Sequence, residues 1–481
     1  MPNVTIHDLI NNVKKYDPDN VDKIKKAYAV ATTFHEGQYR ASGEPYIIHP
    51  LNVAYILSEM HADSDTICAG LLHDTIEDTN MDRESIVKIF NEEVAKLVDG
   101  VTKISNIHFS SDQDSEDANS RKLITGIVED VRIIIIKLAD KLHNMRTLQY
   151  KPPLKQISTA KETMDIFVPL ANYIGAYRVK NELEDLSLKY LYPEEYERTR
   201  QLMTSDERNS SSCLETVLEK VDTILTNRNI PHEIKVRTKN VYGVYKKLHE
   251  GCRMEDIHDF LSLKIMVRDI MDCYKALGLI HSLYNPLQEK FRDYIHNPKT
   301  NMYRSIHTTI FGEDDRFVQM QIRTFDMDKV ASFGLPAYWY INEKDARRAM
   351  QEELKNKCQF YDSLVEINDM FSDNQAFIEQ VERELFSGNI YCYTTKGDSV
   401  ELPNGSNAID FAYKIHSDIG NKMTGAIVND NYVDPEYVLR NKDRVRIITA
   451  EDASPSQIWL NSVKTARAKR KIREYYRTIK Q

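Results

Sequence analysis

The 481-residue chain predicts a multidomain α+β protein: an all-α first part, a middle that mixes strands with helices, and a small β-grasp-like module. Three observations carry this expectation. From Val21 to about Tyr196 apolar residues recur at three and four positions (Ala27, Val30, Ala31, Phe34; Val53, Ile56, Leu57, Met60), which is helical spacing. Beyond the polar stretch Thr204 to Ser212 the period shortens to two, most clearly from Phe317 to Arg323, and strands enter. The length also exceeds what one hydrophobic core organises, so about three domains are expected.

Composition narrows the function classes. A hydrophobic share of 41% and a charged share of 28% suit a globular enzyme. A net charge of −9 excludes a protein that coats nucleic acid with its whole surface, although local basic patches stay possible. The 6 cysteines never form a CxxC, so neither a disulfide framework nor a zinc knuckle is expected, and a reducing cytosol fits. Met1 to Asp8 lacks a basic-then-apolar leader and no segment approaches a membrane span, which predicts a cytoplasmic protein.

The first part, 1–196, holds the densest chemistry. His49, His73, Asp74 and Asp140 are two imidazoles and two carboxylates, a donor set for a divalent manganese- or iron-like ion, with Glu77 and Asp78 near enough to handle a water. His73 and Glu77 are four apart, so one helix is expected to project both on one face. Asp140, Asn144 and Thr147 repeat the i, i+4, i+7 step after the apolar run Ile133 to Ile136. A single His of this kind can equally be a capping or core residue; several polar groups on apolar helices are costly to bury unpaired, and a metal resolves that cost. Between them, Asn106 to Arg121 is polar and acidic and reads either as a loop at the rim of the site or as a disordered connection.

The middle part, 197–342, begins with a helix from Leu214 to Arg228, then strands at His232–Val236, Leu261–Val267, Ser305–Phe311 and Arg316–Arg323. Alternation in the last puts Gln319, Gln321 and Arg323 on one polar face, suited to a ligand cleft. Cations interleave with tyrosines here, in Arg237-Thr238-Lys239, Tyr245-Lys246-Lys247, Lys290 to Tyr294, Lys299 and Tyr303 to His307; such a set serves phosphates and a base. A helical connector is expected over 343–385.

The β-grasp-like module, 386–450, is expected to open with a hairpin turning at Lys396-Gly397-Asp398, followed by a helix near Ala408–Ile415 and strands near Gly425–Val428 and Arg444–Ile448. In 451–481, Ser454-Pro455-Ser456-Gln457 has the form of a helix start, and the helix it predicts is strongly basic. That face is either solvated or in contact with RNA phosphates.

The order of these motifs closely resembles the long RelA/SpoT (Rel) family over nearly the whole chain. Gly37 to Arg40 with Ser42 to Pro50, His73 to Asp78 and Leu138 to Thr147 are similar to its HD-type hydrolase domain; the middle segments to its nucleotidyltransferase-like synthetase domain; Leu402-Pro403 with Ile409 to His416 to its TGS module. The resemblance implies enzymes that make and degrade the guanosine alarmones ppGpp and pppGpp in the stringent response. It further implies that His49, His73, Asp74 and Asp140 bind Mn²⁺, that Glu77 and Asp78 orient or deprotonate the attacking water, and that Arg40, Ser42, Tyr46, Asn144 and Thr147 hold the guanosine and its phosphates. Hydrolysis then yields pyrophosphate and GDP or GTP.

In the synthetase half the resemblance implies pyrophosphate transfer from ATP to GDP or GTP, with an Asp and a Glu serving Mg²⁺ and hydroxyl activation. The first is Asp259; the second position holds Gln319, whose amide neither takes a proton nor adds charge, a loss of roughly 10²- to 10⁴-fold. Met302 stands where a Gly usually precedes the Tyr, Lys264 replaces an Arg and Gly243 a Ser, while Glu313 lies upstream of Gln319. Arg237, Lys239, Lys247, Lys299, Tyr303 as the stacking ring and His307 persist for guanosine nucleotide. A weak or inactive synthetase that still binds nucleotide is therefore expected; the alternatives are a fully bifunctional enzyme that tolerates Gln319, or a module contacting tRNA or the ribosome through the TGS segment with His416 and the basic terminal helix. His416 has a plain reading as a packing residue of its helix.

Overall fold

A computed structural model describes residues 4–105, 130–257, 259–299, 301–312, 317–337, 359–371, 373–381, 383–384 and 389–479. The stretch Asn106 to Arg121 and Glu313 lie outside the described residues. Two compact units are present, one of residues 1–102 with 132–347 and the other of 103–131 with 348–481.

In the first unit, helix Ser64–Leu72 packs on both Ile48–Glu59 and Val21–Phe34. Leu57, Ile67, Leu71 and Leu72 are fully buried between them, each contributing about 1.5–3 kcal/mol. Asp63 caps the second of these helices by accepting from Thr66 N at 3.0 Å. That helix stops at Leu72; His73 and Asp74 form a turn, and a four-residue helix, Thr75–Asp78, follows. The expectation of one continuous helix carrying His73 and Glu77 is thus corrected: Asp74 takes a bridge-region conformation, φ −93° and ψ −5°, which turns the chain between the two acids and the two-helix core. Opposite lies Val131–Arg146, whose Ile133 to Ile136 and Leu138, Ala139 are buried.

A helix from Pro193 to Asn227 runs through Thr204 to Ser212 without a break, so that polar stretch does not separate two elements. It leads into a five-stranded sheet, β1 (His232–Thr238), β2 (Leu261–Val267), β3 (Arg292–Asp293), β4 (Ile306–Phe311) and β5 (Phe317–Thr324), in the order β1-β2-β5-β4-β3. Only β2 and β5 pair in parallel. Leu263, Ile265, Val318, Met320, Ile322, Ile306 and Ile310 form a core with Val217, Val221, Leu225 and Ile280 of the flanking helices. Alternation then sends the other side chains to the opposite face, where Arg237, Ser262, Gln319 and Thr309 stand in register, and Lys264, Gln321 and His307 form the next row.

The helical and sheet parts of this unit meet at Gly175 and Gly334. Leu335 N donates to Ile174 O at 2.9 Å, and Asn301 Nδ2 donates to Asn172 O at 3.0 Å and Tyr177 Oη at 2.8 Å. Gly334 has φ +72°, and a Cβ there would sit 2.1 Å from Ile174 O.

The second unit contains helices Gln359–Met370 and Asn374–Val381, a hairpin of β6 (Asn389–Tyr393) with β7 (Ser399–Pro403), helix Ala408–Ile415, and a sheet of β8 (Met423–Val428), β9 (Asn431–Val433) and β10 (Val445–Thr449) in the order β10-β8-β9. The short β9 was not foreseen. The terminal helix runs Ala466–Ile479 and does not start at Ser454; only Trp459–Ser462 is helical in between. Its start is set from outside the local sequence, where Glu384 accepts from Ala466 N at 2.8 Å and buried Asp410 from Thr465 N at 2.9 Å. Nor is the helix simply a basic solvated rod: Ala468 and Ile472 are fully buried in the β-grasp core, and Arg470 pairs with Glu366 at 2.7 Å. Among the described residues no helix is long and apolar enough to cross a membrane.

Candidate metal centre and nucleotide pocket

Three elements bring the predicted donors together. His49 comes from the first turn of Ile48–Glu59, His73 and Asp74 from the turn after Leu72, and Asp140 from the middle of Val131–Arg146. Donor atoms of His49, His73 and Asp140 lie within 4.8 Å of one another and all three residues are buried. Asp74 stands beside them, its oxygens 3.2 Å from His73 Nε2 and 3.6 Å from His49 Nε2.

Each ring is oriented through its other nitrogen. His73 Nδ1 donates to Gly70 O at 2.8 Å, which leaves Nε2 as the lone-pair nitrogen; that atom is buried and has no hydrogen-bond partner. His49 Nδ1 meets Nδ1 of buried His143 at 2.7 Å, so His49 Nε2 faces Asp140 at 3.3 Å. Burial, reinforced by His49, drives the His143 imidazole down to about 2, so it is neutral and accepts from His49 whenever His49 Nε2 carries a ligand.

The carboxylates are held ionised. Burial opposes this for Asp140, but Lys137 at 2.9 Å and the two imidazoles hold it well below the carboxylate range. Asp74 is lowered against the same opposition by His73 and His49. In return Lys137, which burial alone would discharge, is kept protonated by Asp140. An orphaned imidazole nitrogen, converging ionised oxygens and outer partners that fix both rings fit a divalent ion.

Around this cluster, Tyr46 Oη lies 2.8 Å from Asp74 Oδ2 and 2.7 Å from Asp78 Oδ2, with its pKa raised by burial and those two acids. Arg40 Nη2 donates to Asn144 Oδ1 at 2.7 Å, and Asn144 Nδ2 to Asp140 Oδ1 at 2.5 Å. Arg40 Nη1 is buried without a partner. Glu77 is half-buried one turn from Asp74, Thr147 bonds back to His143 O at 3.1 Å, and Ser42 bonds to Glu44 at 3.1 Å in an exposed turn. Sequence reasoning missed Lys137 and His143. Their signal was spacing: each lies three residues from Asp140 on one helix.

The second cluster sits on the polar face of the five-stranded sheet. Asp259 precedes β2 and has one oxygen 2.5 Å from Lys239 Nζ and the other 2.5 Å from Lys247 Nζ; despite burial these ammoniums lower it to about 2. Gln319 is half-buried in β5, opposite Ser262. Asp328 pairs with Lys264 at 2.9 Å and Arg323 at 3.4 Å. Tyr303 Oη meets His307 Nε2 at 2.7 Å, and burial, with Lys299, Arg323 and Arg237, pushes His307 down to about 3. The Tyr303 ring is itself buried, with Lys299 5.1 Å and Arg323 5.6 Å from its centroid.

Three family descriptions match the chain: "HD domain" over residues 27–177, "Region found in RelA / SpoT proteins" over 236–346 and "TGS domain" over 390–449. A guanosine-3′,5′-bis(diphosphate) 3′-pyrophosphohydrolase of Aquifex aeolicus is 42% identical over 475 residues, covering 98% of this chain and 67% of the relative. The chain belongs to the RelA/SpoT family. The bifunctional (p)ppGpp synthase/hydrolase SpoT of Escherichia coli is 38% identical over 470 residues, 97% of this chain and 67% of that one. A GTP pyrophosphokinase of Myxococcus xanthus is 41% identical over 468 residues, 96% and 61%. The chain thus spans about three fifths to two thirds of the length of these curated relatives.

RelA/SpoT membership gives the three departures in the second pocket a physical reading. Met302 has φ +63°, a left-handed conformation that favours glycine. A Cβ on Gly243 would lie 2.7 Å from Asn240 Oδ1 and 3.0 Å from Lys239 Cε, so a Ser in its place requires Lys239 or Asn240 to move. Lys264 still reaches Asp328. Mg²⁺ fits poorly: Asp259 has both oxygens on lysines, Gln319 brings no charge, and Asp328 is taken by Lys264 and Arg323.

Proposed function

We propose that this RelA/SpoT protein hydrolyses ppGpp and pppGpp to GDP or GTP and pyrophosphate with a divalent ion, Mn²⁺, held by His49, His73, Asp74 and Asp140. The observation that carries this reading is the buried convergence of His49, His73 and Asp140, with His73 Nε2 facing the carboxylates and without a hydrogen-bond partner. A bound divalent ion supplies a Lewis acid and lowers the pKa of a coordinated water. In the reaction the water oxygen bonds to the phosphorus attached to the 3′ oxygen, the bond from that oxygen to phosphorus breaks, and the 3′ hydroxyl recovers a proton.

The chain's own groups do the remaining work. Glu77 and Asp78 orient the attacking water or take its proton, and Tyr46 holds Asp78 toward Asp74 through its hydroxyl. Arg40, anchored on Asn144 through Nη2, keeps Nη1 for a phosphate oxygen. Ser42 and Thr147 bind the nucleoside. Removing all divalent ions with chelator, or replacing His73 by alanine, is expected to abolish pyrophosphate release from ppGpp, and Mn²⁺ is expected to restore it in the wild type. Unchanged turnover after chelation refutes the reading.

For synthesis we propose an inactive or weak second site. Gln319 removes the base that would take the 3′ hydroxyl proton during transfer from ATP, and Asp259 is neutralised by two lysines. The relative named for both activities supports the competing bifunctional reading; turnover of ATP and GDP by the wild type, against its Gln319→Glu variant, decides between them. A tRNA or ribosome contact through His416 and the terminal helix has less support. His416 caps Ser417–Asn421, accepting from Asp418 N at 3.2 Å, while Arg470 and Lys471 are paired with Glu366 and Glu474. Retention on deacylated tRNA tests that contact.

A further inference from the structure

His35 destabilises the place it occupies. It follows the last residue of helix Val21–Phe34 and is only 3% exposed; its Nε2 is buried and, among the described residues, has no hydrogen-bond partner. A buried polar atom of this kind opposes folding, and an apolar ring would avoid it. The other ring nitrogen is used. Nδ1 lies 2.7 Å from Gln38 Oε1, and Gln38 Nε2 donates to Asp78 O at 2.8 Å. A backbone carbonyl can only accept, so the amide must turn its NH₂ group to Asp78 and its oxygen to His35, and His35 Nδ1 is the donor.

The same ring also supports Tyr46. The two rings stack with centroids 4.7 Å apart and planes 23° apart, and Tyr46 Oη reaches Asp78 Oδ2 at 2.7 Å. Asp78 is thus held twice, at its main-chain oxygen through Gln38 and at its carboxylate through Tyr46, and both routes lead back to His35. Its carbonyl is the last of the helix Thr75–Asp78, one of those with no partner inside the helix. Between Gln38 and Tyr46 the chain loops out through Arg40 and Ser42; the loop is closed by Tyr46 N donating to Gln38 O and Arg40 N to Glu44 O, both at 2.9 Å. Substrate loop and acid therefore hang on one residue.

We propose that His35, acting through Gln38, is a positioning residue for hydrolysis: it clamps the end of Thr75–Asp78 to the loop that carries Arg40 and Ser42, so that Asp78 and Tyr46 stand in fixed relation to the phosphate Arg40 holds. The proposal rests on the hydrolase reading above. It assigns His35 and Gln38 no part in holding the ion, since among the described residues their side chains hydrogen-bond to each other and to Asp78 O and not to His49, His73, Asp74 or Asp140. What they supply is alignment, and a small misplacement of reacting groups lowers the rate of the chemical step steeply.

The test compares the full chain with its Gln38→Leu and His35→Phe variants. Gln38 is half-buried, so its replacement is expected to leave Tm unchanged; His35→Phe keeps a ring against Tyr46 and removes the donor. In both, kcat for pyrophosphate release from ppGpp with Mn²⁺ is expected to fall roughly 10- to 100-fold, with KM and the Mn²⁺ affinity measured by dialysis unchanged. The double variant is expected to lose no more than either single one, because a two-link chain breaks once. Deuterium uptake across residues 75–79, followed without metal or substrate, is expected to rise in both variants while that of Ile48–Glu59 stays the same. Wild-type kcat in Gln38→Leu overturns the proposal whatever His35→Phe does, and so does a fall in kcat matched by weaker Mn²⁺ binding. A wild type that releases no pyrophosphate overturns the hydrolase reading instead; uptake across 75–79 then decides alone whether His35 positions Asp78, and unchanged uptake refutes it.

Discussion

His143 shows how much of the metal centre depends on a residue with no ligand role of its own. Its Nδ1 lies 2.7 Å from His49 Nδ1 and sets which nitrogen of His49 faces Asp140. His143→Leu leaves that nitrogen buried without a partner, and an outer-partner loss of this kind typically costs 10- to 100-fold in metal affinity, an estimate of about that order here. Dialysis against Mn²⁺ with metal analysis measures it, in the absence of substrate. His143→Asn, whose side-chain oxygen can stand near the lost Nδ1, is expected to recover most of the affinity; equal affinity in all three proteins shows that His49 needs no such support. Chemistry-bearing residue types were legible in the sequence because two imidazoles and two aspartates on apolar helices are costly without an ion. His143 was not, because a histidine following an apolar helix face has many uses and only its partner distinguishes them.

Among elements, the terminal helix departs furthest from its local sequence. Ser454 to Gln457 has the composition of a cap, yet the Ser456 side chain accepts only from Ile458 N, at 3.3 Å, in a turn, and the helix begins at Ala466. Two distant carboxylates decide this. Glu384 and Asp410 offer fixed acceptors to the free N–H groups of 464–466, which outweigh a local cap with nothing to pack on. Burial pushes Glu384 up to about 7 and raises Asp410 as well; the backbone of Ala466 and Gln380 counter it at Glu384, with half-buried Lys414 nearby. Because the folded pKa of Glu384 lies above its ordinary 4.5, its contribution is fully present below pH 4.5 and is lost as pH rises toward 7. That amounts to on the order of 3 kcal/mol. Glu384→Gln keeps an acceptor for Ala466 N and removes the charge. Thermal unfolding between pH 5 and 8 is expected to show a falling Tm in the wild type and a flatter, higher profile in this variant; parallel profiles refute the assignment.

At the scale of the whole first unit, the helical part and the sheet are joined by a contact that only glycine permits. Gly334 combines φ +72° with a backbone approach that would put a Cβ 2.1 Å from Ile174 O and 2.8 Å from Ala176 N. Gly334→Ala therefore pays twice, in dihedral strain and in lost hydrogen bonding from Leu335 to Ile174, an expected loss of roughly 2–4 kcal/mol. Since the contact joins the two parts, thermal unfolding followed by tyrosine fluorescence and by loss of hydrolysis is expected to shift together. A shift confined to one signal shows that the two parts fold independently.

The amino-acid sequence by itself determined the order of helical, mixed and β-grasp-like parts, because burial periodicity of 3.6 or 2 is local and survives in the strand and helix limits seen here. It also determined the donor types of the candidate metal centre and the amide at Gln319, since those are matters of chemistry at single positions. Only the tertiary structure decided which imidazole nitrogens face the carboxylate cluster, how Lys137 and His143 hold Asp140 and His49, where the terminal helix begins, and that Asp259 is claimed by two lysines. Each of these depends on a partner far away in the chain, and no local spacing specifies a distance of 2.5 or 2.7 Å across that separation.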